Sequence, residues 1–140
     1  MATLERAIEL AVQYHKGQVD KMGQPYILHP LRVMARCQGA EAQMVAVMHD
    51  LIEDTPVTAE QLLAEGFSKS VVDGLLGVTR QESESYRDFV LRARKHPLSR
   101  AVKLADLEDN LDLRRLTVPL GPKDHQRLER YREAWHLLQS

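Results

Sequence analysis

Four ionisable side chains interrupt an otherwise apolar stretch at residues 49–54, where His49 and Asp50 are followed by Glu53 and Asp54. If the stretch is helical, Glu53 lies one turn after His49 and Asp54 one turn after Asp50, on the same faces. Three acids on a helix that looks buried cost much free energy unless a proton or a cation compensates them. The pattern therefore indicates a metal-binding helix.

A second polar group breaks the apolar pattern of residues 102–113. Asp106 and Asn110 are one helical turn apart, and Lys103 precedes Asp106 by three residues. A salt bridge between Lys103 and Asp106 on a solvated helix face is the alternative interpretation of this segment. His29, at the junction of a loop and a helix, is a third candidate for the same site.

The candidate metal ligands are two histidines and two aspartates: His29, His49, Asp50 and Asp106. A mixed shell of nitrogen and oxygen atoms suits Mn²⁺, Fe²⁺ or Zn²⁺ better than Ca²⁺. Four protein ligands leave coordination positions for a water and a substrate oxygen, which is the arrangement of a catalytic metal site.

The elements that must position these residues are helices, because apolar residues recur with helical spacing and no long alternating segment predicts a strand. We expect a compact all-α fold of about eight short helices in one domain, residues 1–140. The predicted helices cover residues 4–16, 30–38, 41–53, 59–65, 68–78, 85–95, 97 to beyond 113, and 123–138. Thr58 and Gln61 predict a capping box for the fourth helix.

Composition excludes several classes of protein. The 19 basic and 20 acidic residues leave no broad basic surface for a nucleic-acid polymer. The single cysteine, Cys37, cannot form an intramolecular disulfide. The polar N-terminal segment is unlike a signal peptide, and no apolar run approaches the length of a membrane span. We therefore expect a cytoplasmic protein without a membrane partner.

Five short sequence motifs in a fixed order resemble those of the HD phosphohydrolase superfamily, and within it those of the hydrolase domain of the RelA/SpoT alarmone enzymes. The order His, then His-Asp, then Asp is the superfamily's signature, and the flanking residues narrow the resemblance. The five motifs are residues 15–18, 23–31, 49–55, 77–79 and 102–106. The resemblance extends from about residue 4 to residue 116 and implies the compact HD fold.

The resemblance also implies roles for individual residues. One ion, usually Mn²⁺ in this family, would be held by His29, His49, Asp50 and Asp106. Glu53 and Asp54 would orient or deprotonate the attacking water. Of the implied substrate contacts, Lys21 and Lys103 would lie near the phosphates or the metal-site carboxylates, and Asn110 would lie at the sugar or base. Tyr26, in the motif of residues 23–31, is the fourth.

The implied function is metal-dependent removal of phosphate or pyrophosphate from a nucleotide, first of all the 3′-pyrophosphate of ppGpp or of its adenine analogue ppApp. One alternative is another nucleotide phosphohydrolase, such as a phosphatase for the 2′-phosphate of NADPH. A second alternative is a sensory or binding module that keeps the HD fold without turnover. No metal-binding or water-activating position is lost here, which favours the enzyme.

The chain departs from the family pattern at positions that read the base. Many relatives carry Arg and Ser where this chain has Asp20 and Met22. After Asp106 the family often shows Arg, His and a later Arg, where this chain has Leu107, Asp109 and Asp112. These departures predict intact hydrolysis with a weakened preference for guanine. Basic residues at positions 87, 92, 94 and 95 favour a solvated helix face, and replacement phosphate contacts are the alternative interpretation.

Overall fold

The computed structural model describes residues 1–140 as nine α-helices and one 3₁₀-helix, with no strand apart from an isolated bridge between Val19 and Pro25. The all-α class predicted from the sequence is confirmed. In chain order, α1 to α9 are Leu4–His15, Leu28–Ala35, Ala40–Met48, Leu51–Asp54, Ala59–Glu65, Lys69–Gly77, Tyr86–Arg94, Pro97–Asn110 and Pro122–Gln139. The 3₁₀-helix is Leu113–Arg115.

Short polar side chains set the first residues of several helices. The Thr3, Ser68 and Ser85 hydroxyls accept hydrogen bonds from backbone N–H groups in the first turns of α1, α6 and α7. Thr58 and Gln61 form the predicted capping box at the start of α5. These contacts satisfy N–H groups that have no partner within the helix.

Helix α3 forms the centre of the main hydrophobic core. Its residues Val45, Ala46, Val47 and Met48 are all fully buried, so the C-terminal half of this helix is apolar on every side, as expected of a central helix. The surrounding core side chains come mainly from α1, α2, α6 and α8. A smaller cluster, formed by Val90, Leu107, Ala134 and Leu138, joins α7, α8 and α9.

Two predicted helices are interrupted in the structure. The helix predicted for residues 41–53 breaks at residues 49–50 into α3 and the single-turn α4. The Ala46 carbonyl there accepts from both the backbone N–H and the ring Nδ1 of His49, and such side-chain bonds compete with the helical pattern. The helix predicted to pass residue 113 ends at Asn110 and is followed by the 3₁₀-helix.

None of the helices is both long enough and apolar enough to cross a lipid bilayer.

Candidate functional site

Three separate elements bring the candidate metal ligands together. His29 lies in the first turn of α2, His49 and Asp50 form the break between α3 and α4, and Asp106 lies in the third turn of α8. Both histidines and Asp106 are buried, and Asp50 is half-buried. Because α3 packs against both α2 and α8, packing of the core fixes the relative positions of the four side chains.

The break after α3 lets two consecutive residues face the same site. Neighbouring side chains on a regular α-helix point about 100° apart. At the break, Nε2 of His49 lies 3.2 Å from Oδ2 of Asp50. One ligand atom each from His29, His49 and Asp50 lie within 4.8 Å of one another. Oδ1 of Asp106 adds a second carboxylate, 2.9 Å from Nε2 of His29 and 3.5 Å from Nε2 of His49.

Hydrogen bonds on the far side of each ring fix the orientation of both histidines. Nδ1 of His49 lies 2.7 Å from the Ala46 carbonyl, which can only accept, so this nitrogen carries the proton. Nδ1 of His29 lies 2.7 Å from Oδ2 of Asp109. In the neutral His49 ring this leaves the lone pair of Nε2 directed toward the carboxylates of the site. In His29 each ring nitrogen faces a carboxylate, Asp109 at Nδ1 and Asp106 at Nε2.

The group of ligands forms an electron-rich pocket. Burial opposes a charge on His49, but Asp50 and Asp106 outweigh burial and raise the pKa of His49 to about 9. Burial likewise opposes a charge on Asp106, yet the Lys103 ammonium and the two histidines hold the pKa of Asp106 well below its usual range. Nζ of Lys103 lies 2.9 Å from Oδ2 of Asp106. The pocket therefore attracts positive charge.

The donor set fits a divalent metal ion. Two imidazole Nε2 atoms directed inward, together with two carboxylates, match the mixed nitrogen and oxygen shells of first-row transition metals. Partners of the Nδ1 atoms are the usual means by which proteins orient metal-binding histidines. His29, His49 and Asp50 thus form a possible metal-binding group, and Asp106 contacts both of its histidines.

The two predicted water-activating acids occupy different surroundings. Glu53 lines the cleft beside the ligands, and its Oε1 accepts a hydrogen bond of 2.8 Å from the backbone N–H of Arg80. Asp54 does not line this cleft. Burial, followed by the charges of Asp50 and Glu53, raises the pKa of Asp54. The structure therefore places Glu53, and not Asp54, at the cleft.

A cleft of about 620 Å³ adjoins the ligand group, and all four predicted substrate contacts line it. Three of them also contact the ligands: Tyr26 donates to Asp50, and Lys103 and Asn110 donate to Asp106. Burial and the charge of Asp50 raise the pKa of Tyr26, so its phenol stays protonated and can donate. Lys21 is exposed at the rim.

Four of the six cationic side chains of the cleft were not predicted from the sequence. Besides Lys21 and Lys103, they are Arg80, Arg115, Arg127 and Arg130. None of the residues at positions 87, 92, 94 and 95 lines the cleft, and the alternative that they contact phosphate is not supported. Arg92 instead binds Glu84 and the carbonyls of Leu76 and Thr79. The spacing of Arg127, Arg130 and Tyr131 on one face of α9 was the available signal.

Asp20 and Met22 do line the cleft, but Asp20 has a structural task in its loop. Its Oδ1 accepts from the backbone N–H groups of Met22 and Gln24, at 2.8 Å and 3.0 Å. Aspartate commonly stabilises turns in this way. Sδ of Met22 accepts a hydrogen bond of 3.3 Å from the Thr117 hydroxyl. Neither contact was predicted from the sequence.

The fold and the site together define a helical domain in which two histidines and two aspartates lie beside a cleft lined by basic, acidic and aromatic side chains. The chain belongs to the HD domain family, which it matches over residues 7–116.

Several curated relatives are similar to the chain over most of its length. They include a protein of Aquifex aeolicus, 33% identical over 77% of this chain, and one of Haemophilus influenzae, 38% identical over 73%, both named guanosine-3′,5′-bis(diphosphate) 3′-pyrophosphohydrolase. A Synechocystis protein named as a probable enzyme of that kind is 32% identical over 89%. The chain spans about a sixth of the length of these relatives, 17%, 17% and 18%.

A solved structure also shares the fold. It was described as a metazoan ortholog of SpoT that hydrolyzes ppGpp, and it superposes with a TM-score of 0.79 at 22% identity. The match covers 99% of this chain and 85% of that chain. The likeness establishes that nearly the whole chain, including α9 beyond the family match, has the fold of that protein.

Proposed function

We propose that this chain is a metal-dependent phosphohydrolase that removes the 3′-pyrophosphate of ppGpp. The observation that carries the proposal is the position of the ligand group beside a cleft lined by six Lys and Arg side chains and by Tyr26, Tyr86, Phe89 and Tyr131. Cations suit phosphate groups, and aromatic rings suit a base or sugar. The names of the relatives and their identity to this chain support the same substrate.

The proposed resident metal is one Mn²⁺ ion, held by His29, His49, Asp50 and Asp106. Fe²⁺ and Zn²⁺ are chemically compatible with the same donors. When bound, a divalent ion at this site would supply charge neutralisation for a phosphoryl oxygen and lower the pKa of a water molecule. Each of the four side chains would serve as a ligand, as the family resemblance implies.

Glu53 is the proposed general base. Its carboxylate lines the cleft and is held by the N–H of Arg80, which leaves its second oxygen for a water molecule. Glu53 takes a proton from the water, whose oxygen bonds to the phosphorus attached to the 3′-oxygen. The bond between that phosphorus and the 3′-oxygen breaks, the 3′-oxygen takes up a proton from solvent, and the products are GDP and pyrophosphate. Asp54, further from the cleft, would orient the water only through Glu53 or the ligands.

The proposed substrate contacts follow the lining of the cleft. Lys21 and Lys103 would neutralise phosphate oxygens, Asn110 would contact the sugar or base, and Tyr26 would hold Asp50 in place through its hydroxyl.

We further propose that residues 1–140 act as one domain, that the protein works in the cytoplasm, and that its partner is a nucleotide and not a nucleic-acid polymer. The near-balance of 19 basic and 20 acidic residues supports the last point.

The test is product analysis after incubation of the Mn²⁺-loaded protein with ppGpp, ppApp and NADPH in parallel. We expect GDP and pyrophosphate from ppGpp, and loss of turnover in His49→Ala and after chelation. His125→Ala, an exposed histidine of α9, is the matched control and should keep full activity. A metal-loaded protein that releases no product from any of the three nucleotides would contradict the proposal and favour a binding module.

A further inference from the structure

A buried acidic residue outside the predicted ligand set, Asp109, contacts His29 on the side of the ring that faces away from the other ligands. Asp109 lies on α8 one turn after Asp106 and is fully buried. Its Oδ2 lies 2.7 Å from Nδ1 of His29, on the opposite side of the ring from the nitrogen that faces Asp106. Asp109 therefore contacts a candidate ligand without itself facing the cleft.

Two arginines from other elements keep this buried carboxylate in place. Nε of Arg32, on α2, donates to Oδ1 of Asp109 at 2.8 Å, and the guanidinium of Arg115 lies 3.8 Å from Oδ2. A buried carboxylate without such partners would cost several kcal/mol. With them, Asp109 remains charged and its two oxygens have fixed directions, one toward Arg32 and the other toward His29.

We propose that Asp109 is a positioning residue for His29, which sets the orientation of the ring and the strength of its Nε2 as a metal donor. A neutral imidazole has a single N–H, and a hydrogen bond from Nδ1–H to a carboxylate leaves the lone pair on Nε2. A carboxylate partner also increases the basicity of the ring. The inference rests on the proposed metal centre and adds a residue to it.

The competing explanation is that Asp109 serves only to balance the charges of Arg32 and Arg115. In that case its removal would lower the stability of the metal-free protein and leave the metal affinity of the folded protein unchanged. A positioning role predicts that the affinity itself falls. Stability and affinity must therefore be measured separately on the same variants.

The decisive variant is Asp109→Asn, which keeps the shape and an oxygen acceptor but removes the charge. We expect the dissociation constant for Mn²⁺, measured by titration calorimetry on the metal-free protein, to rise about 10- to 100-fold, the usual effect of losing such a partner. Arg36→Gln is the matched control. Arg36 follows Arg32 by one turn but pairs with Glu108 and Asp112, so this variant should bind Mn²⁺ like the wild type.

Thermal unfolding of the metal-free variants completes the test. If Asp109→Asn is folded and binds Mn²⁺ within twofold of the wild type, the positioning role is overturned. If it does not fold, Arg32→Gln decides, because this change loosens Asp109 without removing it. Weaker binding than in Arg36→Gln supports the role, and equal binding overturns it. A wild-type protein that binds no Mn²⁺ would instead overturn the metal centre, and the inference with it.

Discussion

Nε2 of His29 lies 2.9 Å from Oδ1 of Asp106, although the two residues are 77 positions apart in the chain. The contact joins the first turn of α2 to the middle of α8, and both helices pack against the central α3. An ion bound between these side chains would therefore also connect elements of the core. Ligands that bind only the folded state stabilise it by mass action, so metal and stability should be linked.

The first prediction concerns Asp106→Asn, which removes the charge of the one carboxylate that contacts both histidines. We expect the variant to lose most of its bound metal and the rise in melting temperature that the metal confers on the wild type. Elemental analysis and thermal unfolding with and without Mn²⁺ measure the two effects. Asp73→Asn is the control, because Asp73 also pairs with a lysine, Lys69, but at the surface. Equal metal content in Asp106→Asn and the wild type would refute the ligand assignment.

The second prediction concerns Glu53→Gln. The glutamine oxygen can still accept from the N–H of Arg80, so the loop that contains Arg80 should keep its conformation and the metal should stay bound. Loss of a general base should lower kcat on the order of 10²-fold or more. The measurement is turnover of ppGpp together with metal content, with Glu60→Gln on the exposed surface of α5 as the control. Full turnover by the metal-loaded variant would mean that another group activates the water.

The third prediction is that guanine is not strongly favoured over adenine. Asp20 cannot donate to a purine as a guanidinium does, and the Met22 thioether is a weak acceptor. Each missing contact is worth about 1 kcal/mol or more, so the ratio of kcat/KM for ppGpp to that for ppApp should stay below about 100. A larger ratio in the wild type would show that other residues read the base.

Variants at these two positions refine that test. Met22→Ser should raise the preference for guanine. Asp20→Arg would remove the acceptor of two backbone N–H groups in the loop, so Asp20→Asn is the better first change. It keeps an oxygen for the turn and removes a negative charge near a polyanion, and it should lower KM for both nucleotides alike.

The fourth prediction concerns the pH dependence of stability at Glu84, whose side chain is 10% exposed. Hydrogen bonds from Arg92 lower the pKa of Glu84 from its ordinary value of 4.5 to about 2. Because the pKa is lower in the folded state, the charged pair stabilises the protein above the ordinary value, and this contribution is lost as the pH falls toward 2.

The measurement is the free energy of unfolding in urea for the wild type and Glu84→Gln between pH 7 and pH 3. The difference between the two should be largest near neutral pH and should shrink progressively below about pH 5. Glu82→Gln, an exposed neighbour that forms no ion pair, should show no such trend. A difference that is constant with pH would mean that the charge of Glu84 contributes nothing.

Helical spacing and capping residues predicted most of the fold. The boundaries of α5, α6 and α7 agree with the predicted ones to within a residue, because Thr58, Ser68 and Ser85 are local signals. The break at residues 49–50 was missed because the apolar residues before it, up to Met48, and after it, Leu51 and Ile52, keep helical spacing. What interrupts the helix is a bond between the His49 ring and the Ala46 carbonyl, and side-chain bonds of this kind leave no trace in hydrophobic spacing.

The candidate site was predictable in its residue types but not in its surroundings. The order of the sequence motifs indicated His29, His49, Asp50 and Asp106 as candidate ligands, and the fold does bring them together. The role of Asp109 depends on Arg32 and His29, which are far from it in sequence. The cations of the cleft come partly from α9, whose position depends on packing against α7 and α8. Tertiary contacts of this kind cannot be read from local spacing.

The break between α3 and α4 also sets a limit for engineering heat resistance into this protein. Designers commonly raise melting temperatures by filling irregular segments with strong helix formers. A change that joined Met48 and Leu51 into one continuous helix would turn Asp50 away from His49, since adjacent positions then diverge. At residues 49–50, a substitution that raised the melting temperature by extending the helix would therefore separate two of the candidate metal ligands.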